Sequence, residues 1–294
     1  MLKKIIFAFT IVMFSLIVST IRPSLDTSVL GSYCVDYSLE SENFYPIPGL
    51  NTTYVPQGLC LLENENYTYR LITAYDSSNR KNSCLYVITV NGKHIKTLFF
   101  DDSIGLHVGG ITSNKSGSYV YVCDSLKNQI RIYNADLIHN CSDGDIIKES
   151  ITYPVEYVPS FISYDKPNNC LLIGTFSKNN SSQLVQYSLD FRKLDEISIP
   201  KEIQGVTKLS NGQLVLSQSY GCNNDSALLI GHIENKKFCS DYKITLPPGL
   251  EEIYCTENDN IFLLFESSAK KFNSRKPIRN VILLLLEYPK SQHH

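Results

Sequence analysis

The chain has 294 residues, 43% of them hydrophobic and 19% charged, with a formal net charge of −2 at pH 7. That composition supplies a sizeable globular core and excludes disorder as the main state. It carries no basic stripe, so the nucleic-acid backbone, which needs clustered Lys and Arg, is excluded as a partner.

Residues 1–20 open with Lys3 and Lys4 and continue as an apolar run to Val18, followed by small Ser19 and Thr20. This is the charged region, apolar region and cleavage region of a secretory signal peptide; an uncleaved anchor stretching to Ile21 is the alternative. After cleavage no membrane span is expected. Sequons at Asn51, Asn66, Asn114, Asn140, Asn179, Asn180 and Asn224 fall in turn-like stretches, where N-linked glycans stay in water. The expected location is therefore extracellular, reached through a eukaryotic secretory route. Nine cysteines are an odd number, so at least one stays free or pairs outside the chain. Cys222 with Cys239 is the expected bridge because both flank one hairpin. No CxxC spacing supports a zinc or redox site.

Residues 21–52 form an N-terminal segment in which GSYCVDYSLES, at 31–41, reads as a spare strand. From 53 to 290 a repeat dominates, and 291–294 are a tail. Five segments align: YVPQGLCLLEN, LHVGGITSNKSG, YVPSFISYDKPN, KEIQGVTKLSNG and GLEEIYCTENDN. Their marker residues, each before a small-then-aliphatic pair, are Gln57, Gly109, Ser160, Gln204 and Glu251, spaced 44 to 52 residues apart. Each marker strand is followed by a polar turn, a strongly apolar strand (YRLITAYD, SYVYVCDS, CLLIGTFS, QLVLSQSY, NIFLLFES) and an alternating strand. A more polar fourth strand (HIKTLFF, IIKESITYP, KLDEISIP, DYKITLP) closes four of the repeats. This grammar predicts an all-β, five-bladed β-propeller. The N-terminal strand supplies the missing outer strand of the fifth repeat and closes the ring. Six blades follow if residues 24–52 hide further strands; a β-sandwich with coincidental phrasing is the competing fold.

In a propeller the first strand begins, and the second ends, at the same channel mouth. The markers therefore make one ring there, and Asp76, Asp124, Phe176, Ser219 and Glu266 a second. The expected ligand-binding set is Gln57, Asp76, Asp124, Ser160, Gln204, Ser219 and Tyr220. One side of this mouth is acidic. Glu251, Glu266, Asp76 and Asp124 offer hard oxygens for a calcium ion. Alternatively, the Glu251–Glu266 pair splits into one protonated and one ionised carboxyl for catalysis. In the third reading Asp76 and Asp124 simply cap turns. Glu251 and Glu252 point to opposite sides of a strand and are not a pair. His107 is the histidine that the phasing puts at the mouth, in space left by Gly109, and is the expected general base or electrophile. Lys270 and Lys271 could draw an anion there, and Tyr54, Tyr157 and Tyr220 offer rings for a sugar. No GxSxG, GxGxxG, P-loop or HExxH is present.

The phrases PQGL, HVGGI, IQGV with LSQSYG, and LEEI with LFESSAKKF resemble a group of secreted bacterial β-propeller proteins, through short motifs between Tyr54 and Glu287. More distantly the architecture is similar to calcium-dependent phosphotriesterase and lactonase propellers, whose metal-binding motifs are not recognisable here. The resemblance implies the fold and the motif positions.

The expected function is binding of a small organic molecule or sugar at the mouth, with Ca2+ as a candidate cofactor. The alternatives are a hydrolase/lactonase-like or cyclase/isomerase-like enzyme using His107, Glu251 and Glu266, and an extracellular protein-interaction platform. Expressed with its own N-terminus in a eukaryotic cell, the protein is expected in the medium without residues 1–20. Its electrophoretic mass should fall on enzymatic removal of N-glycans. Retention in the cell at full, unshifted mass would contradict the export reading.

Overall fold

Runs of β-branched and aromatic residues separated by Asn, Gly and Asp turns fold into antiparallel strands, because that pleated surface suits their side chains. The computed structural model describes residues 38–39, 45–102, 107–149, 151–272 and 274–286. The expected signal peptide, Cys34 and the C-terminal tail lie outside the described residues.

Two short strands, β1 (Ser38–Leu39) and β2 (Tyr45–Pro46), precede a four-stranded run: β3 (Tyr54–Glu63), β4 (Thr68–Asp76), β5 (Cys84–Ile88) and β6 (His94–Phe100). The second run is β7 (Val108–Ser113), β8 (Tyr119–Asp124) and β9 (Gln129–Asn134), then helix α1 (Ala135–Asn140), β10 (Ile146–Ile147) and β11 (Ile151–Pro154). The third is β12 (Phe161–Asp165), β13 (Cys170–Gly174), β14 (Ser182–Ser188) and β15 (Lys193–Ile199). The fourth is β16 (Ile203–Lys208), β17 (Leu214–Gln218), β18 (Ser226–Glu234) and β19 (Lys237–Leu246). The last is β20 (Leu250–Cys255), β21 (Ile261–Phe265) and β22 (Asn280–Leu285).

Each run is an antiparallel meander. Units three and four fuse into one eight-stranded sheet through a single parallel pair, Ser198 opposite Lys237. The last unit takes its outer edge from the N-terminal segment: Ser38 opposes Leu285 on β22, and Tyr45 opposes Val281. The phrase IIKESITYP, expected as one outer strand, is divided. Ile146 and Ile147 extend unit one in parallel beside β6, while β11 edges unit two. Helix α1 was not expected; Asn134 caps it by accepting from Asp136 N (2.8 Å), and Lys96 Nζ donates to the carbonyls of His139 and Cys141 at its far end (2.7 and 2.6 Å).

The innermost strands β3, β7, β12, β16 and β20 each pack against the next, and β20 packs back against β3. Apolar clusters sit between successive units: Leu71 with Val108, Tyr121 with Ile162, Leu172 with Val206, Val215 with Ile253, and Ile72 with Phe262. No unit buries its own faces alone, so the sheets stand or fall together. The Arg70 guanidinium lies 4.1 Å from the Phe262 ring centroid and 4.7 Å from that of Tyr45, tying unit one to the last unit.

All eight described cysteines are unbonded, and Cys60, Cys84, Cys123 and Cys170 are buried as small apolar side chains. The expected Cys222–Cys239 bridge does not form. Cys239 opposes His232, six residues (roughly 20 Å) along β18 from its first residue Ser226, whereas Cys222 precedes that far end of the strand. Of the seven sequons, Asn114 is part-buried, with its amide oxygen accepting from Ser118 N and Tyr119 N (3.0 and 3.1 Å); the other six are exposed.

Where the inner strands of units two and three meet, backbone approaches backbone closely. A Cβ on Gly109 would stand 2.4 Å from the Ser160 carbonyl oxygen, and one on Gly110 would stand 2.8 Å from Phe161 Cα. Gly110 N donates to that same Ser160 carbonyl (2.9 Å), so the two backbones must touch. Gly109→Ala is expected to cost about 1–3 kcal/mol of unfolding free energy, read by urea denaturation, because backbone rather than a movable side chain blocks the methyl. Unchanged stability would mean that the ring is looser there than described.

Candidate functional site

Register shifts fall between Pro56 and Gly58, Val108 and Ile111, Ile203 and Gly205, and Leu250 and Glu252. Four of the five markers, Gln57, Gly109, Gln204 and Glu251, therefore sit in β-bulges; the fifth, Ser160, immediately precedes β12. A bulge sets two residues against one and re-aims the unpaired side chain, which is why these positions stand out at the mouth.

The second ring does not face the markers directly, because β3 begins three residues before Gln57 and the bulge at Gly109 shifts Asp124 by one residue. Asp76 pairs with Tyr54 rather than Gln57, Asp124 pairs with Val108, and Ser219 N donates to Glu202 O (2.8 Å). Asp76 turns into its own loop, where its carboxylate accepts from Ser78 Oγ (2.5 Å), Arg80 N (3.0 Å) and Lys81 N (3.0 Å). Burial alone would raise its pKa, but these bonds outweigh burial and hold it well below the usual carboxylate range. Asp124 is fully buried and accepts from Arg131 Nε and Gln129 Nε2, both at 2.9 Å, while Arg131 also reaches Glu149 (2.7 Å). Ser219 is buried and accepts from Ser226 Oγ (3.0 Å) inside unit four. Asp76 thus caps its own turn, as the third reading has it, whereas Asp124 is held inside the sheet by Arg131 and Gln129 rather than by turn backbone.

The aromatic set is also dispersed. Tyr54 is buried and donates to Asn82 O (3.0 Å), Tyr157 donates to Glu196 (3.0 Å), and the Tyr220 ring carries the Lys178 ammonium at 4.4 Å. Ser160 acts through its backbone, and Gln204 is part-exposed in its bulge.

The structure does gather Gln57, Tyr75, His107, Glu251, Glu266 and Lys271. Gln57 and Glu251 are each only 7% exposed. Glu266 follows β21, its N–H donating to Gly249 O (2.8 Å). Burial, then the charges of Glu266 and Glu252, push Glu251 far above the ordinary carboxylate range, against Lys271 and Gln57. Burial pushes Glu266 up to about 7, again opposed by Lys271 and the Gln57 amide. Glu251 Oε2 has no hydrogen-bond partner among the described residues. Lys271 Nζ donates to Tyr75 Oη (2.6 Å), and the His107 ring lies tilted at 42° against the Tyr75 ring with centroids 4.2 Å apart. Burial, then the Lys271 charge, lowers the His107 pKa and keeps the imidazole neutral. The space at Gly109 is filled by the Ser160 carbonyl, so His107 leans on unit one instead of occupying it.

Glu252 was set aside at the sequence level, yet its carboxyl reaches the inner strands of units two and four. It is 1% exposed, with Oε1 accepting from Ile253 N (3.0 Å) and Oε2 unpartnered among the described residues. A Cβ on Gly205 would stand 2.2 Å from Oε1, and one on Gly110 2.9 Å from Oε2. The position after the marker reads Gly58, Gly110, Phe161, Gly205 and Glu252; those absent side chains were the available signal for a buried acid.

Asp76 and Asp124 are committed to local partners and Lys271 stands beside the two remaining acids, so the donor set does not fit a calcium ion. A hollow of about 700 Å³ lies at the opposite end of the ring, between the far ends of the inner strands, with Lys166, Lys208, Tyr164, Tyr254 and Glu257 in its wall.

No family model matches the chain, and no curated protein matches it in sequence. Among solved structures, glutaminyl cyclase from Myxococcus xanthus aligns over 85% of this chain and 96% of its own, with a TM-score of 0.55 at 10% identity. The PQQ-bound aldose sugar dehydrogenase from Streptomyces coelicolor aligns over 86% of this chain and 98% of its own, with a TM-score of 0.53 at 10% identity. The fold is that of a β-propeller. The likeness supports that architecture, while the closer motif resemblance to secreted bacterial propellers has no family match behind it. Among the described residues no helix is long and apolar enough to cross a membrane.

Burial raises the Glu252 pKa well above its ordinary 4.5, so the folded state holds a proton that the unfolded state releases. Stability must then fall as pH rises from about 4.5 towards the folded value. Glu252→Gln should make this fall shallower by up to about 1.4 kcal/mol per pH unit, measured by urea unfolding at several pH values. Equal slopes for variant and wild type would contradict a buried, neutral Glu252.

Proposed function

We propose that the chain is a five-bladed β-propeller enzyme that moves protons on a small amide-bearing molecule at the Glu251–Glu266 cluster. The observation that carries this reading is a pair of buried carboxyls whose surroundings hold one protonated and leave the other titrating near neutrality, with a pKa of about 7 for Glu266. Neutral His107, the Gln57 amide and the Lys271 ammonium flank the pair and can orient a polar substrate. His107 and Lys271 both contact Tyr75 beside the pair.

The reaction class that suits this set is intramolecular aminolysis, and the fold likeness to a protein named glutaminyl cyclase supports the choice of a glutaminyl substrate. The substrate amine attacks its own carboxamide carbon and a C–N bond closes the ring. Glu266 takes the amine proton, Glu251 gives a proton to the departing nitrogen, and ammonia leaves as the amide C–N bond breaks. Solvent exchange then returns both carboxyls to their starting states. No nucleophilic side chain is needed, in keeping with the lack of any GxSxG. The signal segment and the exposed sequons support action in the secretory pathway or outside the cell, and calcium has no part in the step.

A second reading, a pure binding module for a small organic molecule or sugar, is favoured by the hollow of about 700 Å³ at the opposite end. One assay separates the two. Peptides with N-terminal glutamine are incubated with the protein, and ammonia release and mass loss are followed. The expected result is turnover with kcat/KM rising through pH 7 or so, and a loss of at least about 100-fold in Glu251→Gln and in Glu266→Gln. No turnover by the wild type, or turnover untouched in both variants, would sink the enzyme reading.

A further inference from the structure

The hairpin of β18 and β19 turns through Asn235 and Lys236, both at positive φ (49° and 60°), the turn type that suits the strand twist. Within it His232 directly opposes Cys239, and Glu234 opposes Lys237. Side chains two apart on a strand share a face, so His232, Glu234 and Cys239 lie together. Their ligand atoms all fall within 4.8 Å of one another. Cys239 is unbonded and part-buried.

A further set of residues holds this group in order. His232 Nδ1 meets the Asp241 carboxylate at 3.0 and 3.1 Å. Asp241 accepts from Gln213 Nε2 (3.0 Å), whose amide oxygen accepts from Asn211 Nδ2 (2.7 Å). With Nδ1 engaged, Nε2 is the nitrogen left to bind. A carboxylate on the far nitrogen of a histidine is the arrangement that orients a metal-ligating imidazole and raises its basicity. A bulge between Ile230 and Gly231 turns Asp241 towards the imidazole.

We propose that His232 Nε2, Cys239 Sγ and a Glu234 carboxylate oxygen bind a zinc ion on the outer hairpin of unit four, with Asp241 as the positioning residue for His232. One nitrogen, one thiolate and one oxygen suit tetrahedral Zn2+ with water in the fourth place, and suit Ca2+ or Mg2+ poorly. Lys237, opposite Glu234, is the neighbouring cation the metal must displace. The site would also act as a clamp. Lys236 O accepts from Ser198 N (2.9 Å) and Lys236 Nζ donates to Asp195 (3.0 Å), so the hairpin that carries the ligands also carries the join between units three and four.

The test uses the full chain, reduced and stripped with a chelator, and titrated with Co2+ or Zn2+. Co2+ is expected to give one equivalent of a thiolate-to-metal charge-transfer band. Zn2+ should bleach that band and raise the thermal midpoint by at least about 2 °C at saturation. The band should vanish in Cys239→Ser and His232→Ala. In Asp241→Asn affinity should fall about 10–100-fold. Circular dichroism and urea unfolding of these surface variants show that each is folded, and Glu251→Gln should bind as the wild type does. No charge-transfer band, or a band that survives Cys239→Ser, would overturn the proposal.

Discussion

The close approach of backbone to backbone at the ring centre governs the rest of this molecule. Inner strands from successive units cannot all converge on one axis and also carry side chains there, because interiors pack at crystal-like density. Gly58, Gly109, Gly110 and Gly205 remove the obstacle, and main-chain groups such as Gly110 N and the Ser160 carbonyl meet directly in the space gained. Neighbouring strands are stitched by side chains to backbone in the same zone: Thr73 Oγ1 donates to Gly109 O (2.8 Å), and Ser113 Oγ donates to Leu61 O (2.7 Å). Close packing here fixes the separation of the sheets, and the clusters between them fill what remains.

The polar site follows from that crowding. A strand that bends sharply into the axis takes a bulge, and a bulge breaks the two-residue alternation. At the last unit it leaves two consecutive glutamates both buried, Glu251 among Gln57, Glu266 and Lys271, and Glu252 in the space that glycines of other units vacate. Low exposure and few compensating donors keep these acids protonated far above the usual range. The raised pKa values are thus a product of how the ring closes.

The repeat grammar was legible because each unit spells the same strand–turn–strand pattern, and marker spacing does not depend on tertiary detail. Gln57, His107, Glu251 and Glu266 were legible for the same reason. The phase of the second strand was not. Counting from a marker assumes that the strand begins there with regular alternation; β3 instead begins three residues earlier, at Tyr54 opposite Asp76, and the bulge at Gly109 shifts Asp124 by one residue. Glu252 was lost to the same assumption. Tyr75 and Lys271 went unpaired because their contact joins positions 196 apart in sequence. No local pattern encodes such a contact. The Cys222–Cys239 expectation failed because flanking a hairpin at opposite ends separates two residues rather than joining them.

The pairing of β1 with β22 sets the order in which the fold can form. Ser38 and Leu285 lie near opposite ends of the chain, so their bridge closes a loop containing nearly every other strand. Meanders assemble from neighbours with little loop entropy, whereas this last seam must wait until β22 exists. During synthesis the N-terminal strands therefore remain without their partner edge while the other units fold. The final step is the pairing of β1 with β22. A ring built this way has a slow, long-range closing event.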